Sequence, residues 1–115
     1  MRKWAFLRYD CQTADGTMYR KIMLYSCAEG TYVFLYDSDD AVFCSEDEFY
    51  ETEMDALDRW EDEIDSEGWH IIEDPLPYCQ HDTVLPIRIK GRNEGAPQWG
   101  KYEILIDGEW KDFPV

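Results

Sequence analysis

In the first third of the chain, apolar and polar residues of segment 18–27 alternate loosely with the two-residue period of a β-strand. Three segments are rich in aromatic, aliphatic and β-branched residues: 3–9, 18–27 and 31–36. The turn signals Asp15-Gly16 and Glu29-Gly30 separate these segments, so that short links join one strand to the next. The pattern predicts an antiparallel meander of three strands.

The middle of the chain changes to the period of an amphipathic helix. Apolar side chains recur there every three to four residues and form one stripe, namely Tyr50, Met54, Leu57, Trp60 or Glu61, and Ile64. Thr52 and Asp55 have the spacing of a capping box, although Asp replaces the usual Glu or Gln. Gly68 suits a left-handed cap. We therefore predict one helix that begins after Thr52 and ends before Gly68.

Strand patterns return in the last third, divided by proline and glycine. Segments 69–72, 84–90, 102–106 and 109–113 are predicted strands, and 41–44 is a further candidate. The dipeptide Asp107-Gly108 is a strong signal for a two-residue hairpin between the last two strands. Together the patterns predict a single α+β domain over 1–115, with an antiparallel sheet of about five to seven strands and one main amphipathic helix packed on it.

The negative charge is concentrated in one stretch. Between Asp37 and Asp74 there are seventeen Asp or Glu residues and one base, Arg59, whereas the other seventy-seven residues hold nine acids and ten bases. The formal net charge of −15 therefore comes from one third of the chain. Aromatic residues occur inside the same stretch, which indicates a folded acidic surface rather than a disordered tail.

Intrinsic stability does not explain this distribution. Acids lie three or four residues apart throughout the predicted helix, and Asp55 with Arg59 is the one compensating pair. Repulsion among seven such like-charge pairs costs about 2 kcal/mol at low salt. A surface charge of one sign attracts cationic partners. We expect contact with a basic partner protein at ten residues: Asp37, Asp39, Asp40, Glu46, Asp47, Tyr50, Asp58, Glu61, Asp62 and Asp65. The alternative is a solvated face that serves solubility.

Motifs for catalysis and nucleotide binding are absent from the sequence. It contains no glycine-rich phosphate loop and no nucleophile elbow, so we predict neither an enzyme nor a cofactor. A weaker alternative is a zinc site that uses Cys79, His81 and His70. The four cysteines form no CxxC pair and are predicted to be free thiols.

Membrane and nucleic-acid binding are also disfavoured. No apolar run reaches the roughly twenty residues of a membrane span, and the first ten residues lack the apolar core of a signal peptide, so we expect a cytoplasmic protein. Anionic lipids and nucleic acids would repel a chain of net charge −15. The bases of segment 88–101 are interpreted as neutralising part of the acidic face, or as making the chain dipolar, rather than as a nucleic-acid patch.

Segment 74–110 carries a resemblance to known proteins. It contains Asp-Pro-Leu-Pro, Cys-Gln-His-Asp, Leu-Pro-Ile-Arg-Ile-Lys-Gly-Arg, Trp-Gly-Lys-Tyr-Glu-Ile-Leu and Asp-Gly-Glu-Trp, and it resembles short bacterial proteins. In size, acidity and lack of a catalytic motif, the whole chain is similar to immunity proteins of contact-dependent and polymorphic toxin systems. The resemblance implies neutralisation of a basic nuclease toxin by acidic and aromatic residues that cover its active site.

The function predicted from the sequence is therefore that of a non-enzymatic, acidic inhibitor of a nuclease-type toxin. The first alternative is a DNA mimic that blocks a nucleic-acid-binding defence protein, for which acids in long rows are expected. The second is a small zinc protein or zinc enzyme built on Cys79 and His81.

Overall fold

A computed structural model describes residues 1–13 and 15–114. The chain divides into two compact units, Met1–Glu73 (unit 1) and Asp74–Val115 (unit 2). The described residues form eight strands in two antiparallel sheets, together with one α-helix. The predicted α+β class is confirmed, with one strand more than expected and two sheets instead of one. The expectation of a single domain over 1–115 stays a prediction.

Unit 1 contains a five-stranded antiparallel sheet in the order β4-β3-β2-β1-β5. Its strands are β1 Arg2–Phe6, β2 Lys21–Cys27, β3 Gly30–Tyr36, β4 Glu46–Tyr50 and β5 His70–Ile72. The predicted meander of the first three strands is confirmed. The fourth strand lies at Glu46–Tyr50 and not at 41–44, because Ala41 and Cys44 pack against the sheet instead of pairing with it.

One face of this sheet forms the main core of unit 1. The period-two alternation turns Ala5, Ile22, Leu24, Val33 and Leu35 to that face, where they are fully buried. The helix α1, Glu53–Trp60, covers them with Ala56 and Trp60, which are also fully buried.

The predicted start of α1 is confirmed, because the Thr52 hydroxyl accepts a hydrogen bond of 3.1 Å from the Asp55 backbone N–H. The predicted end is wrong: α1 ends at Trp60, and the 3₁₀ turn Glu61–Glu63 follows. Ile64 then pairs with Leu7, and the Asp65 N–H donates to the Phe6 carbonyl at 3.0 Å. These bonds hold the backbone extended, so it cannot continue as a helix.

Two other residues of the predicted helix have different roles. Gly68 adopts a φ of 79°, but it closes a turn with Asp65 rather than a helix. Met54, predicted on the apolar stripe, is 72 % exposed. The short helix buries Ala56 and Trp60 with Leu57 beside them.

The opposite face of the sheet carries a second cluster around Met23, Phe34 and Tyr36. The Lys21 ammonium donates to the Ala41 carbonyl at 2.9 Å and lies 4.6 Å from the centre of the Tyr36 ring. These contacts hold the acidic loop between β3 and β4 against this face.

Unit 2 contains a three-stranded antiparallel sheet in the order β6-β7-β8. Its strands are β6 Ile87–Ile89, β7 Tyr102–Ile106 and β8 Glu109–Phe113. The predicted hairpin is confirmed: Asp107 and Gly108 both have positive φ, of 51° and 79°, as a type I′ turn requires.

Two bases of unit 2 pair with acids of the same unit. Arg88 pairs with Glu103 at 2.7 Å and lies over the Trp110 ring at 3.7 Å. The Lys90 ammonium lies 2.8 Å from the Asp112 carboxylate. Both acids lie outside the acidic stretch 37–74, so neutralisation of that stretch by segment 88–101 stays a prediction.

Gly30, the first residue of β3, packs closely against the end of β4. A Cβ there would lie 2.5 Å from Phe49 Cζ and 2.7 Å from the Tyr50 carbonyl oxygen, at a φ of 147°. We expect Gly30→Ala to lower the free energy of unfolding by about 3 kcal/mol, since it adds overpacking to backbone strain. Gly68→Ala is the matched control: its φ is 79° and its Cβ would meet open space, so strain alone costs about 1 kcal/mol. Urea denaturation measures both, and equal losses would contradict the packing at Gly30.

Candidate functional site

The excess of acid lies in unit 1. Its residues include nineteen acids and six bases, a formal charge of −13, whereas unit 2 has seven acids and five bases, a charge of −2. Within the described part of the chain, Lys and Arg side chains contact four acids of unit 1: Glu53, Asp10, Glu63 and Asp39. Most carboxylates of unit 1 therefore lack a basic partner.

The outer side of α1 and the turn after it carries exposed carboxylates. Asp55, Asp58 and Asp62 follow one another at intervals of three and four residues, and all three are exposed. The expected compensation of Asp55 by Arg59 is absent from the ion pairs of the described residues, because the Arg59 guanidinium lies over the Trp60 ring at 4.0 Å. Asp55, Asp58 and Asp62 thus face solvent without an ion pair to any other described residue, whereas Glu53 of the same helix pairs with Lys3.

Strand β4 supplies acids to both faces of the sheet. Asp47 is exposed on the face that carries Phe34. Glu46 and Glu48 lie on the helix-covered face, where Glu46 accepts a hydrogen bond from the Tyr19 hydroxyl. Because side chains alternate between the two faces of a strand, β4 holds acids of two kinds. Asp47 has no partner among the described residues, whereas Glu46 and Glu48 are hydrogen-bonded within the fold.

Glu48 is a structurally important carboxylate whose role the sequence did not reveal. Its Oε1 accepts hydrogen bonds from the Trp60 indole N–H and from the Tyr50 hydroxyl, each of 2.9 Å. Tyr50, predicted as a contact residue, is therefore held inside the unit. The signal was present in the alternation of β4, which places residues 46, 48 and 50 on the same face as the helix.

Hydrogen bonds to carboxylates also shift tyrosine titration. The bond to Glu46, with burial and the Glu46 charge, raises the pKa of Tyr19 to about 12. Burial first, and then the bond to Glu48, raises the pKa of Tyr50. In both cases the negative carboxylate favours the neutral, donating phenol.

Glu61 is another acid that an aromatic donor holds. Its Oε2 accepts a 3.0 Å hydrogen bond from the Trp69 indole N–H. The Lys3 ammonium lies 4.8 Å from the centre of the Trp69 ring and 3.5 Å from the Glu53 carboxylate. Glu61 is nevertheless exposed, and its charge contributes to the surface.

The loop acids have local partners. Asp39 Oδ1 lies 3.9 Å from Arg20 Nε, and Asp40 Oδ1 accepts a 3.0 Å hydrogen bond from the Ser38 hydroxyl. The Asp37 backbone N–H donates a hydrogen bond of 3.1 Å to the Ser45 hydroxyl. The Asp37 carboxylate takes no part in this bond and is exposed to solvent.

Asp39 and Asp65 line one small cavity of about 240 Å³ together with Arg8 and Arg20. The Arg20 guanidinium lies over the Tyr9 ring at 4.2 Å, and its buried Nη1 has no hydrogen-bond partner among the described residues. Asp65 also accepts from the Glu67 N–H at 3.0 Å. These two acids are thus close to the bases of the unit.

The ten predicted contact residues therefore divide into two groups. Four carboxylates are exposed and make no ion pair or side-chain hydrogen bond with described residues: Asp37, Asp47, Asp58 and Asp62. Six are bonded within unit 1, namely Asp39, Asp40, Glu46, Tyr50, Glu61 and Asp65.

The alternative zinc site gains no support. In the part of the chain that the structure describes, no three His, Cys, Asp or Glu side chains are placed to hold a metal ion. Cys79 is buried and His81 is exposed in unit 2. His70 belongs to unit 1, where it stacks on Trp4 at 4.4 Å with its Nε2 3.2 Å from Glu67. The four cysteines are free thiols, as predicted.

No helix in the described residues has the length and apolar character needed to cross a membrane. Comparison with known proteins adds no relative: no family model matches the chain, and no curated protein or solved structure is similar to it.

Removal of Glu48 tests the bond that joins α1 to β4. Glu48→Ala leaves the buried indole N–H of Trp60 without an acceptor, so we expect a loss of about 2–3 kcal/mol in the free energy of unfolding. Glu48→Gln keeps an acceptor of the same size and should lose about 1 kcal/mol. Urea denaturation followed by tryptophan fluorescence measures both. Equal losses for the two variants would contradict the role of the acceptor.

Alkaline titration tests the bond between Tyr19 and Glu46. Folding raises the pKa of Tyr19 from 10 to about 12. The contribution of the Tyr19–Glu46 bond to the free energy of unfolding is therefore fully present below pH 10 and is lost as the pH rises toward 12. The stability difference between the wild type and Tyr19→Phe should therefore narrow over that range. Urea denaturation at several pH values measures the difference, and a constant gap would contradict the assignment.

Proposed function

We propose that unit 1 is an acidic binding module for a basic protein, and that the chain acts as an immunity protein that inhibits a nuclease-type toxin. The observation that carries this proposal is the formal charge of −13 on unit 1, combined with exposed carboxylates that the unit's own bases leave unpaired. Lys and Arg side chains of the partner would supply the missing counter-charges.

The free carboxylates define the proposed contact. Asp58 and Asp62 on the helical side of the sheet, and Asp47 on the opposite face of its edge strand β4, are exposed and lack a basic partner among the described residues. Two exposed apolar side chains lie beside them in sequence: Met54, which is 72 % exposed, and Phe49, which is 50 % exposed. In this proposal they replace Tyr50 as apolar contacts, because Tyr50 is bonded to Glu48.

The energetics favour binding to a cation. Like-charge pairs on a helix cost a few tenths of a kcal/mol each. Because α1 ends at Trp60, only the pair Asp55 and Asp58 lies within it, and a basic partner reverses that small cost. The same field accelerates the encounter, since complementary charge raises association rate constants well above the neutral range of about 10⁵–10⁶ M⁻¹s⁻¹. Inhibition follows when the acidic surface covers the basic active site of a nuclease, which binds phosphates with the same Lys and Arg residues.

The DNA-mimic alternative has less support from the helix. The eight residues of α1 span about 12 Å, so their carboxylates form a short row and not the long series that a duplex presents. A protein partner is the proposal that this length favours. Cytoplasmic location stays an expectation from the sequence.

Neutralisation of three free carboxylates tests the proposal. The triple variant Asp47→Asn, Asp58→Asn and Asp62→Asn should bind a basic nuclease domain encoded beside the gene about ten- to a hundredfold more weakly than the wild type, because three attractions are lost. The measurements are calorimetric Kd values and inhibition of nuclease activity at matched concentrations.

A variant of unit 2 with the same change of charge is the control. Glu94→Gln, Asp107→Asn and Glu109→Gln alter three exposed acids and should leave inhibition close to that of the wild type. If the two triple variants weaken binding equally, net charge rather than the surface of unit 1 is responsible. If the wild type does not inhibit the nuclease, the proposed function is wrong.

A further inference from the structure

Strand β4 forms one edge of the sheet of unit 1. It pairs with β3 on one side, and in the described residues its backbone makes no further hydrogen bond beyond that pairing. In an edge strand, alternate N–H and C=O groups point outward and are available to another strand. β4 therefore offers a row of main-chain donors and acceptors at the surface.

The side chains of β4 determine which strand can pair there. Asp47 and Phe49 lie on one face of the sheet, and Glu46, Glu48 and Tyr50 lie on the other. Any added strand would place its side chains next to three carboxylates. Like charges directly opposite each other in a sheet are destabilising, whereas opposite charges are favourable.

A second copy of this chain does not fit the edge. An antiparallel pairing of two β4 strands centred on Glu48 would place one Glu48 opposite the other and bring six carboxylates together. A neutral strand would gain main-chain hydrogen bonds but would leave those charges uncompensated. The acids thus reject these strands, which agrees with the use of charged edges to prevent aggregation, while they accept a cationic strand.

The Phe49 side chain packs against neighbouring residues and remains partly exposed beside the edge of β4. Its ring covers Gly30 so closely that a Cβ at Gly30 would lie 2.5 Å from Phe49 Cζ. It also meets the Tyr32 ring edge-on, with 5.1 Å between ring centres. The side chain is thereby fixed while half of it remains exposed, and a fixed apolar contact loses little conformational entropy on binding.

We propose that β4 binds an extended basic segment of the partner protein by strand addition, which enlarges the sheet of unit 1 to six strands. This inference rests on the proposed function and specifies how the same partner would bind. Main-chain hydrogen bonds would supply part of the affinity, and the side-chain pattern would supply the specificity. The fitting strand has a base opposite Asp47, an apolar or aromatic residue opposite Phe49, and bases beside Glu46 and Glu48.

N-methylated peptides separate main-chain pairing from simple charge attraction. The probe is a short fluorescent peptide with three consecutive Lys or Arg residues next to a Val, so that its bases can lie beside Glu46, Asp47 and Glu48 and its Val opposite Phe49. Two further peptides of the same charge carry N-methyl groups on one or the other alternate set of residues. We expect one methylated peptide to bind at least about tenfold more weakly than the unmodified probe, because its methyl groups block the edge that faces β4.

Two measurements on the protein locate the contact. Hydrogen exchange should slow at alternate amides within 46–50 when the unmodified peptide binds. Asp47→Asn should weaken peptide binding, and Asp55→Asn, the same charge change on the outer side of α1, should weaken it less.

Three results would overturn strand addition. They are failure of the unmodified peptide to bind, equal affinity of all three peptides, and unchanged exchange within 46–50. In the last two cases salt-dependent binding through side chains would persist, and the proposed function would stand without this mode of contact. Failure of the wild-type protein to inhibit the nuclease would instead refute the proposed function itself.

Discussion

The fold of unit 1 depends on the carboxylate of Glu48, which accepts hydrogen bonds from Trp60 and Tyr50. Trp60 is the largest fully buried side chain of the core, and its indole N–H needs an acceptor there. The half-buried carboxylate in turn has one oxygen satisfied by two donors. This pair of bonds ties the end of α1 to the edge strand β4 and so sets the direction in which the helix presents its acids.

The same type of bond recurs across the unit. Glu46 accepts from Tyr19, Glu61 from Trp69, and Glu29 from Tyr32 at 2.7 Å. The abundant aromatic residues thus have two roles, since they fill the core and also provide N–H and O–H donors to carboxylates. A neutral donor stabilises a carboxylate without cancelling its charge. The unit can therefore fold around its acids and still keep a strongly negative surface.

The sequence predicted those elements whose residues agree with local rules. The β-branched and aromatic run at 31–36, the cap at Thr52 and the hairpin at Asp107-Gly108 all depend on near neighbours. The helix end was not predictable, because Ile64 leaves the helical conformation to pair with Leu7, which is distant in sequence. β4 was missed since its acidic residues have low strand propensity, and only its pairing with β3 makes it a strand.

The sequence predicted where the negative charge of the candidate site lies along the chain, but not which of its side chains are bonded within the fold. Composition shows which third of the chain is acidic. It cannot distinguish Asp58, which makes no ion pair or side-chain hydrogen bond with the described residues, from Glu61, which accepts a hydrogen bond from Trp69. That distinction depends on which aromatic donors lie nearby after folding. For the same reason Tyr50 was expected at the surface contact, whereas its hydroxyl is bonded to Glu48.

The most direct test of the account is the salt dependence of the rate constant for association with the cognate basic toxin. If unpaired carboxylates of unit 1 attract the partner, stopped-flow measurements should show association near 10⁸ M⁻¹s⁻¹ at low salt and a steep fall as salt is added. A rate constant that stays the same from low to high salt would contradict the account, because the acidic surface would then have no part in binding.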